Sequence, residues 1–137
     1  MRRDERLSAS LHALLHLAAR GAAMTSEELA ECLGTHPVVV RRTMGALREA
    51  GLARSERGHG GGWTVARPLE EVSLRDVYVA LGEPELFSLA LGGESPECAV
   101  RRAVGGALAG ALGEAEALIV ERFGAITLDR LAPRFES

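Results

Sequence analysis

The spacing Ala30-x3-Gly34-x5-Val40 constrains this chain more than any other feature. Two short helices that cross closely need a small residue at the contact, and Ala30 supplies it. They need a residue tolerant of positive φ at the bend, and Gly34 supplies that. Val40 then provides a branched apolar side chain for the inner face of the second helix, with Leu29, Leu33 and Leu47 completing a small core. Thr25-Ser-Glu-Glu28 has capping-box form and opens the first of the pair. Pro37, favoured at the first helical position, opens the second, which Gly51 ends. The pattern predicts a helix-turn-helix.

The flanking segments extend this unit. Leu7, Leu11, Leu14, Leu15 and Ala18 recur at helical spacing from about Arg6 to Arg20, and Gly21 stops the run. After Gly51, Leu52–Arg57 and Trp63–Arg67 read as two short strands around Gly58-His59-Gly60-Gly61-Gly62, a hairpin closed by Pro68. Ser73 caps a short helix over Leu74–Leu81. A connector over 82–94 follows, whose Leu86-Phe87-Ser88-Leu89 is expected to pack onto a neighbour. Ser95-Pro96-Glu97 then starts a long helix reaching about Phe123. Thr127 caps a last short helix over Leu128–Leu131.

The long helix places Val100, Val104, Leu108, Ala111, Ala115, Leu118 and Ile119 near a 3.5-residue spacing. Gly105, Gly106, Gly110 and Gly113 weaken an isolated helix, a cost tolerated where another backbone comes close. Gly106-Ala-Leu-Ala-Gly110 has the small-xxx-small form of membrane spans, but Glu114, Glu116, Arg101, Arg102 and Arg122 argue against a bilayer. Packing against a second protein helix is the expectation. The fold class is therefore mainly α with a small β-hairpin wing: a winged helix-turn-helix plus a long C-terminal dimerisation helix. The corresponding division is a DNA-binding domain over 1–82, a connector over 83–98, and a dimerisation helix with a short C-terminal helix over 99–137.

Charge divides along the same line. Residues 1–67 hold ten Arg against seven Asp and Glu, and residues 68–137 hold six Arg against twelve, which together give the net charge of −3. A basic front half and an acidic back half suit a binding half and a support half. With 47% hydrophobic and 26% charged residues in 137, composition is that of a globular chain and excludes disorder. Two cysteines, Cys32 and Cys98, make no disulfide framework, and no signal peptide opens the chain, so a cytoplasmic setting is expected.

On the helix-turn-helix reading, the outward face of the second helix enters the major groove. Thr35, His36, Val38, Val39, Arg41 and Arg42 lie on its leading turns. Arg41 and Arg42 suit either guanine O6/N7 or a phosphate, and the valines suit thymine methyls. Arg54, Arg57 and His59 lie on the wing, where glycines let the backbone approach sugar–phosphate or the minor groove. The bland alternative for any one arginine is a solvated face. Trp63 reads as hairpin support rather than a base-stacking residue.

Several runs now point to one family. Thr25-Ser-Glu-Glu-Leu-Ala-Glu, Arg48-Glu-Ala-Gly-Leu-Ala-Arg-Ser, Arg57-Gly-His-Gly-Gly-Gly-Trp, Ala66-Arg67-Pro68 and Val72-Ser-Leu-Arg-Asp-Val resemble the bacterial Rrf-two family of winged helix-turn-helix regulators, to which IscR, NsrR and CymR belong. His36-Pro-Val-Val-Val-Arg-Arg42 and Ser95-Pro-Glu-Cys98 resemble its cysteine-poor YwnA-like branch. The resemblance covers nearly the whole chain. It implies a homodimer joined by the long helix, an inverted-repeat operator in double-stranded DNA, and repression in most members.

Cluster-bearing members of that family place three closely spaced cysteines before the dimer helix, whereas this chain has Cys98 alone there. An iron–sulphur cluster needs about four ligands, mostly thiolate. Even with His12 or His16 recruited across a dimer the set is short, so no cofactor and no metal are expected, and the histidines read as ordinary helix residues. Cys98 is the sensor candidate: it is expected at about the third helical position, with Arg101 and Arg102 on its face, a setting that favours a thiolate open to redox or electrophile chemistry. The plain alternative is a half-buried packing residue. Cys32, between Glu31 and Leu33, is expected to pack.

No catalytic constellation is present. Ser, His and Cys are scattered, and neither a P-loop nor a dinucleotide fingerprint occurs. The glycine run over 58–62 lacks the lysine and following helix of a phosphate loop. The chain is expected to be no enzyme. Its two readings are a dimeric, sequence-specific transcriptional repressor and a winged-helix module that binds a protein instead of DNA.

Overall fold

In the computed structural model of the chain, residues 5–57, 62–86 and 98–132 are described. Gly34 turns the chain at φ +66° between α2 (Ser26–Leu33) and α3 (Pro37–Glu49), and its N–H donates back toward Glu31. Ala30 and Val40 are both buried at the crossing, and Leu29, Met44 and Leu47 are sealed behind them. The capping box at the start of α2 is complete: the Glu28 N–H donates to Thr25 Oγ1 at 3.1 Å, and the Thr25 N–H donates to Glu28 Oε1 at 3.2 Å.

α1 (Arg6–Arg20) lies across this pair and buries Ala13, Leu14 and Leu17, with Leu7, Leu11 and Leu15 partly covered. β1 (Ala53–Glu56) and β2 (Gly62–Val65) pair antiparallel, Ala53 opposite Val65 and Glu56 opposite Gly62. β2 stops short of the expected Arg67 because the Ala66 N–H leaves the ladder and donates to the Leu52 carbonyl. A 3₁₀ turn over Leu69–Glu71 leads to α4 (Leu74–Ala80), which Ser73 and Asp76 open with a second reciprocal capping box.

α5 (Ala99–Gly124) runs 26 residues, about 39 Å at 1.5 Å per residue. It meets α4 through an edge-on contact of Tyr78 with Phe123, ring centroids 6.0 Å apart. Beyond α5 the chain returns to the N-terminal module. Thr127 bridges to Ser73, and Leu128 of the final 3₁₀ turn (Leu128–Leu131) is fully buried while its N–H donates to the Val72 carbonyl. The helical core thus draws on both ends of the described chain.

Three local expectations need correction. Cys98 is the N-cap of α5 rather than its third helical residue, because helical dihedrals begin only at Ala99; Ser95-Pro96-Glu97 lie outside the described residues. Cys32 does not pack: it is exposed, since α2 turns Leu29 and Ala30 inward and position 32 lies on the solvent side. Thr127 caps nothing with its side chain; its Oγ1 donates instead to the Asp129 carboxylate. Phe87, Ser88 and Leu89 of the connector also lie outside the described residues.

No residue of α5 is buried, and Val100, Val104, Leu108 and Leu118 are 72%, 50%, 38% and 59% exposed. By length and composition this helix is also apolar enough to cross a membrane, at a mean hydropathy of 1.5. Among the described residues nothing approaches Gly106, Gly110 or Gly113 closely enough to require a glycine.

Candidate nucleic-acid interface

The buried stripe of α3, Val40, Met44 and Leu47, fixes which side chains face outward. Val38, Val39, Arg41 and Arg42 occupy the opposite face and are all exposed, as is His36, the N-cap of α3. His36 makes no side-chain cap bond; its carbonyl accepts from the N–H groups of Val39 and Val40. Thr35 is half-buried, its N–H donated to the Ala30 carbonyl, so it belongs as much to the turn as to the outward surface.

The wing is anchored more firmly than a two-stranded ribbon alone would be. The Trp63 N–H donates to the Met24 carbonyl at 2.7 Å and the Met24 N–H donates back at 3.1 Å, so a single bridge pins β2 to the segment before α2. The Trp63 indole N–H reaches Ser26 Oγ at 3.0 Å, and the Arg48 guanidinium lies 5.8 Å over the indole ring while donating to Ser55 Oγ. Trp63 is therefore wing support, tying β2 to the start of α2 and the end of α3. Gly62 makes the approach possible: at φ +147° a Cβ there would stand 2.5 Å from the Met24 carbonyl oxygen. Arg54 and Arg57 project from the exposed side of this ribbon, and His59 lies outside the described residues.

Electrostatics distinguish the arginines. Arg41 Nη1 stands 3.5 Å from Glu27 Oε1 across the α2–α3 corner, both side chains being more than half exposed. Among the described residues Arg42, Arg54 and Arg57 are in no ion pair, leaving their charge available to an external anion. Arg20 instead grips Glu28 at 2.8 Å, away from the outward face of α3. The pairing of Arg41 with Glu27 had no signal in the spacing rules, because it joins positions fourteen residues apart across the bend.

Among the described residues no three His, Cys, Asp or Glu side chains converge. Cys98 caps α5 whereas Cys32 sits in the exposed face of α2, and His12 and His16 meet each other edge-on along α1. That donor set does not fit a cluster.

A family model described as an iron-dependent transcriptional regulator, Rrf2, matches residues 3–134. YwnA of Bacillus subtilis, named as an HTH-type transcriptional regulator, is 30% identical over 105 residues, 77% of each chain. YwgB of the same organism, similarly named, is 40% identical over 60 residues, 44% of this chain but 38% of YwgB. The match thus spans well under half of that relative. The crystal structure of Staphylococcus aureus CymR superposes with a TM-score of 0.70 at 23% identity, covering 98% of this chain and all of that one, which establishes the winged-helix fold. The family and these relatives are regulators of transcription, not enzymes. From its helix-turn-helix through its anchored wing to its long last helix, the chain belongs to the Rrf2 family of DNA-binding transcriptional regulators.

Proposed function

We propose that the chain is a homodimeric repressor that reads an inverted-repeat operator with α3 and steadies itself on the backbone with the wing. The observation that carries this reading is the exposed outward face of α3, with Val38, Val39 and Arg42 uncovered beside an Arg41 held only by a surface ion pair. Arg41 and Arg42 serve base edges or phosphates, the valines serve thymine methyls, Thr35 and His36 approach the backbone at the helix start, and Arg54, Arg57 and His59 serve sugar–phosphate. The test is fluorescence anisotropy on DNA from the chain's own upstream region at two salt concentrations. Affinity should fall steeply with salt as counterions are released. A flat titration at low salt favours the protein-binding module instead.

Dimerisation is assigned to α5, whose apolar side chains are uncovered along its length. A protein partner suits it better than lipid, because Glu114, Glu116 and Glu121 ride on the same helix as its contact with α4. A cytoplasmic regulator without a metal or cluster follows, and protein purified without oxygen should show no charge-transfer absorption in the visible range. Cys98, half-buried at the N-cap of α5 with no side-chain cap bond, is the proposed point of redox entry. Its thiolate would attack a peroxide, giving sulfenic acid and releasing the second oxygen as water. Operator release by peroxide that persists in Cys98→Ser removes that role.

A further inference from the structure

Between α4 and α5 lies a groove of about 580 Å³ to which neither α3 nor the wing contributes a lining residue. Its charged lining is Glu83, Glu116 and Glu121 against Arg75 alone. Among the described residues none of these four is in an ion pair or side-chain hydrogen bond. Tyr78 lines the same groove. Its ring is held edge-on by Phe123 and the residue is only 6% exposed, yet its hydroxyl bonds to no described residue. The hydroxyl is not among the buried oxygens, so it opens to solvent at the groove, where a ligand donor can replace water on its lone pair.

We propose that this groove binds a small organic cation, its ammonium head donating to Tyr78 Oη and to the Glu83 and Glu116 carboxylates, its apolar body lying on Gly113, Ala117 and Val120. An ammonium has three donors and no acceptor, which matches a phenolic lone pair and two carboxylates. Burial raises the Tyr78 pKa and the charges of Glu83 and Glu116 raise it further, which places both carboxylates within electrostatic reach of a hydroxyl that stays protonated. Glu83 is held at φ +53°, in the left-handed region, with its N–H donated to the Tyr78 carbonyl at 3.0 Å. That turn sets its carboxylate beside the groove at a backbone cost that asparagine or glycine would avoid.

The chemistry of the lining narrows the ligand class. An anion would meet three carboxylates against one guanidinium. A bare metal ion needs converging ligands, and among the described residues no three such side chains converge. An organic ammonium needs only Tyr78 Oη and two carboxylates around one nitrogen and rests its apolar body on α5, and the volume lies within the usual range of small-molecule pockets. At 3.6 residues per turn, Glu116, Ala117 and Val120 lie on the side of α5 opposite Val100, Val104, Leu108 and Leu118, so a partner helix on that apolar stripe leaves the groove open. An occupant would sit between the DNA-reading module and α5; that regulatory consequence rests on the proposed function, whereas binding itself does not.

Tyr78 is the sole tyrosine and Trp63 the sole tryptophan, so each gives one site-specific signal. The full chain labelled with ¹³C-tyrosine is titrated with 2-phenylethylammonium, and with phenylacetate as an anion of similar size. The cation should shift the Tyr78 ring signals saturably while the Trp63 indole signal, in the wing anchor, stays in place. Affinity should weaken about tenfold or more in Glu116→Gln and in Glu83→Gln, both exchanges of charge at the groove surface. No saturable Tyr78 shift with the cation, an equal response to phenylacetate, or affinity unchanged in both variants overturns the proposal. The anisotropy titration is independent: flat DNA binding beside an intact Tyr78 response would sink the repressor reading alone.

Discussion

Ser10 is fully buried on the inner face of α1, and among the described residues its hydroxyl finds no hydrogen-bond partner. A methyl group there loses nothing and removes a desolvation cost, so Ser10→Ala should stabilise the fold by about 1 kcal/mol, roughly 2–4 °C in Tm. A fall in Tm by calorimetry would mean that the hydroxyl is satisfied in solution. Glu27 acts at the same scale on binding. Its carboxylate lies 3.5 Å from Arg41 with both groups exposed, a pairing worth at most about 1 kcal/mol. Glu27→Gln frees Arg41 and removes a negative charge from the edge of the DNA-facing surface. Operator affinity should tighten by roughly two- to fivefold, by anisotropy, while Arg41→Ala weakens it and lowers the salt slope by about 1. If Glu27→Gln weakens binding, the ion pair orients Arg41 rather than competing for it.

α2 is the element in which local sequence and tertiary role are most tightly joined. Its Glu28 carboxylate is held below the usual range, first by the Thr25 backbone N–H, against partial desolvation, and then by Arg20 at 2.8 Å. A depressed folded-state pKa stabilises the fold above the unfolded value, about 4.3, and that contribution is lost as pH falls through the lower folded value. Denaturant midpoints should therefore drop between about pH 5 and pH 3, and Glu28→Gln should flatten that drop while lowering the midpoint at neutral pH. An identical acid profile in the variant would assign the loss to other carboxylates. The capping box, the positive φ of Gly34 and the near-complete span of α5 were legible because each depends on residues within one turn of one another. Cys32 misled because a small apolar side chain says nothing about which face it occupies. Cys98 moved from third helical position to N-cap because α5 starts later than its proline suggests. The Met24–Trp63 bridge could not be read at all, since it joins segments far apart in sequence whose meeting only tertiary packing decides.

At the scale of the whole molecule the question is what covers α5. A helix about 39 Å long with Val100, Val104, Leu108 and Leu118 uncovered is unstable as an isolated rod, the more so with five glycines in it. A second copy of the same helix offers the same stripe, and a two-fold contact can bury it symmetrically. The chain should run at twice 14.5 kDa in sedimentation at micromolar concentration. Because these side chains pack on nothing within the described chain, Leu108→Glu with Leu118→Glu should leave the winged module folded by circular dichroism yet give a monomer. Operator affinity should then fall much further than any single phosphate contact explains, since one module loses the effective concentration supplied by its tethered twin. A half-site should be bound equally by parent and variant, which separates lost tethering from lost recognition. A parent chain already monomeric under these conditions, or a double variant still dimeric, would transfer the apolar face of α5 to another occupant and leave the helix-turn-helix to bind its half-site alone.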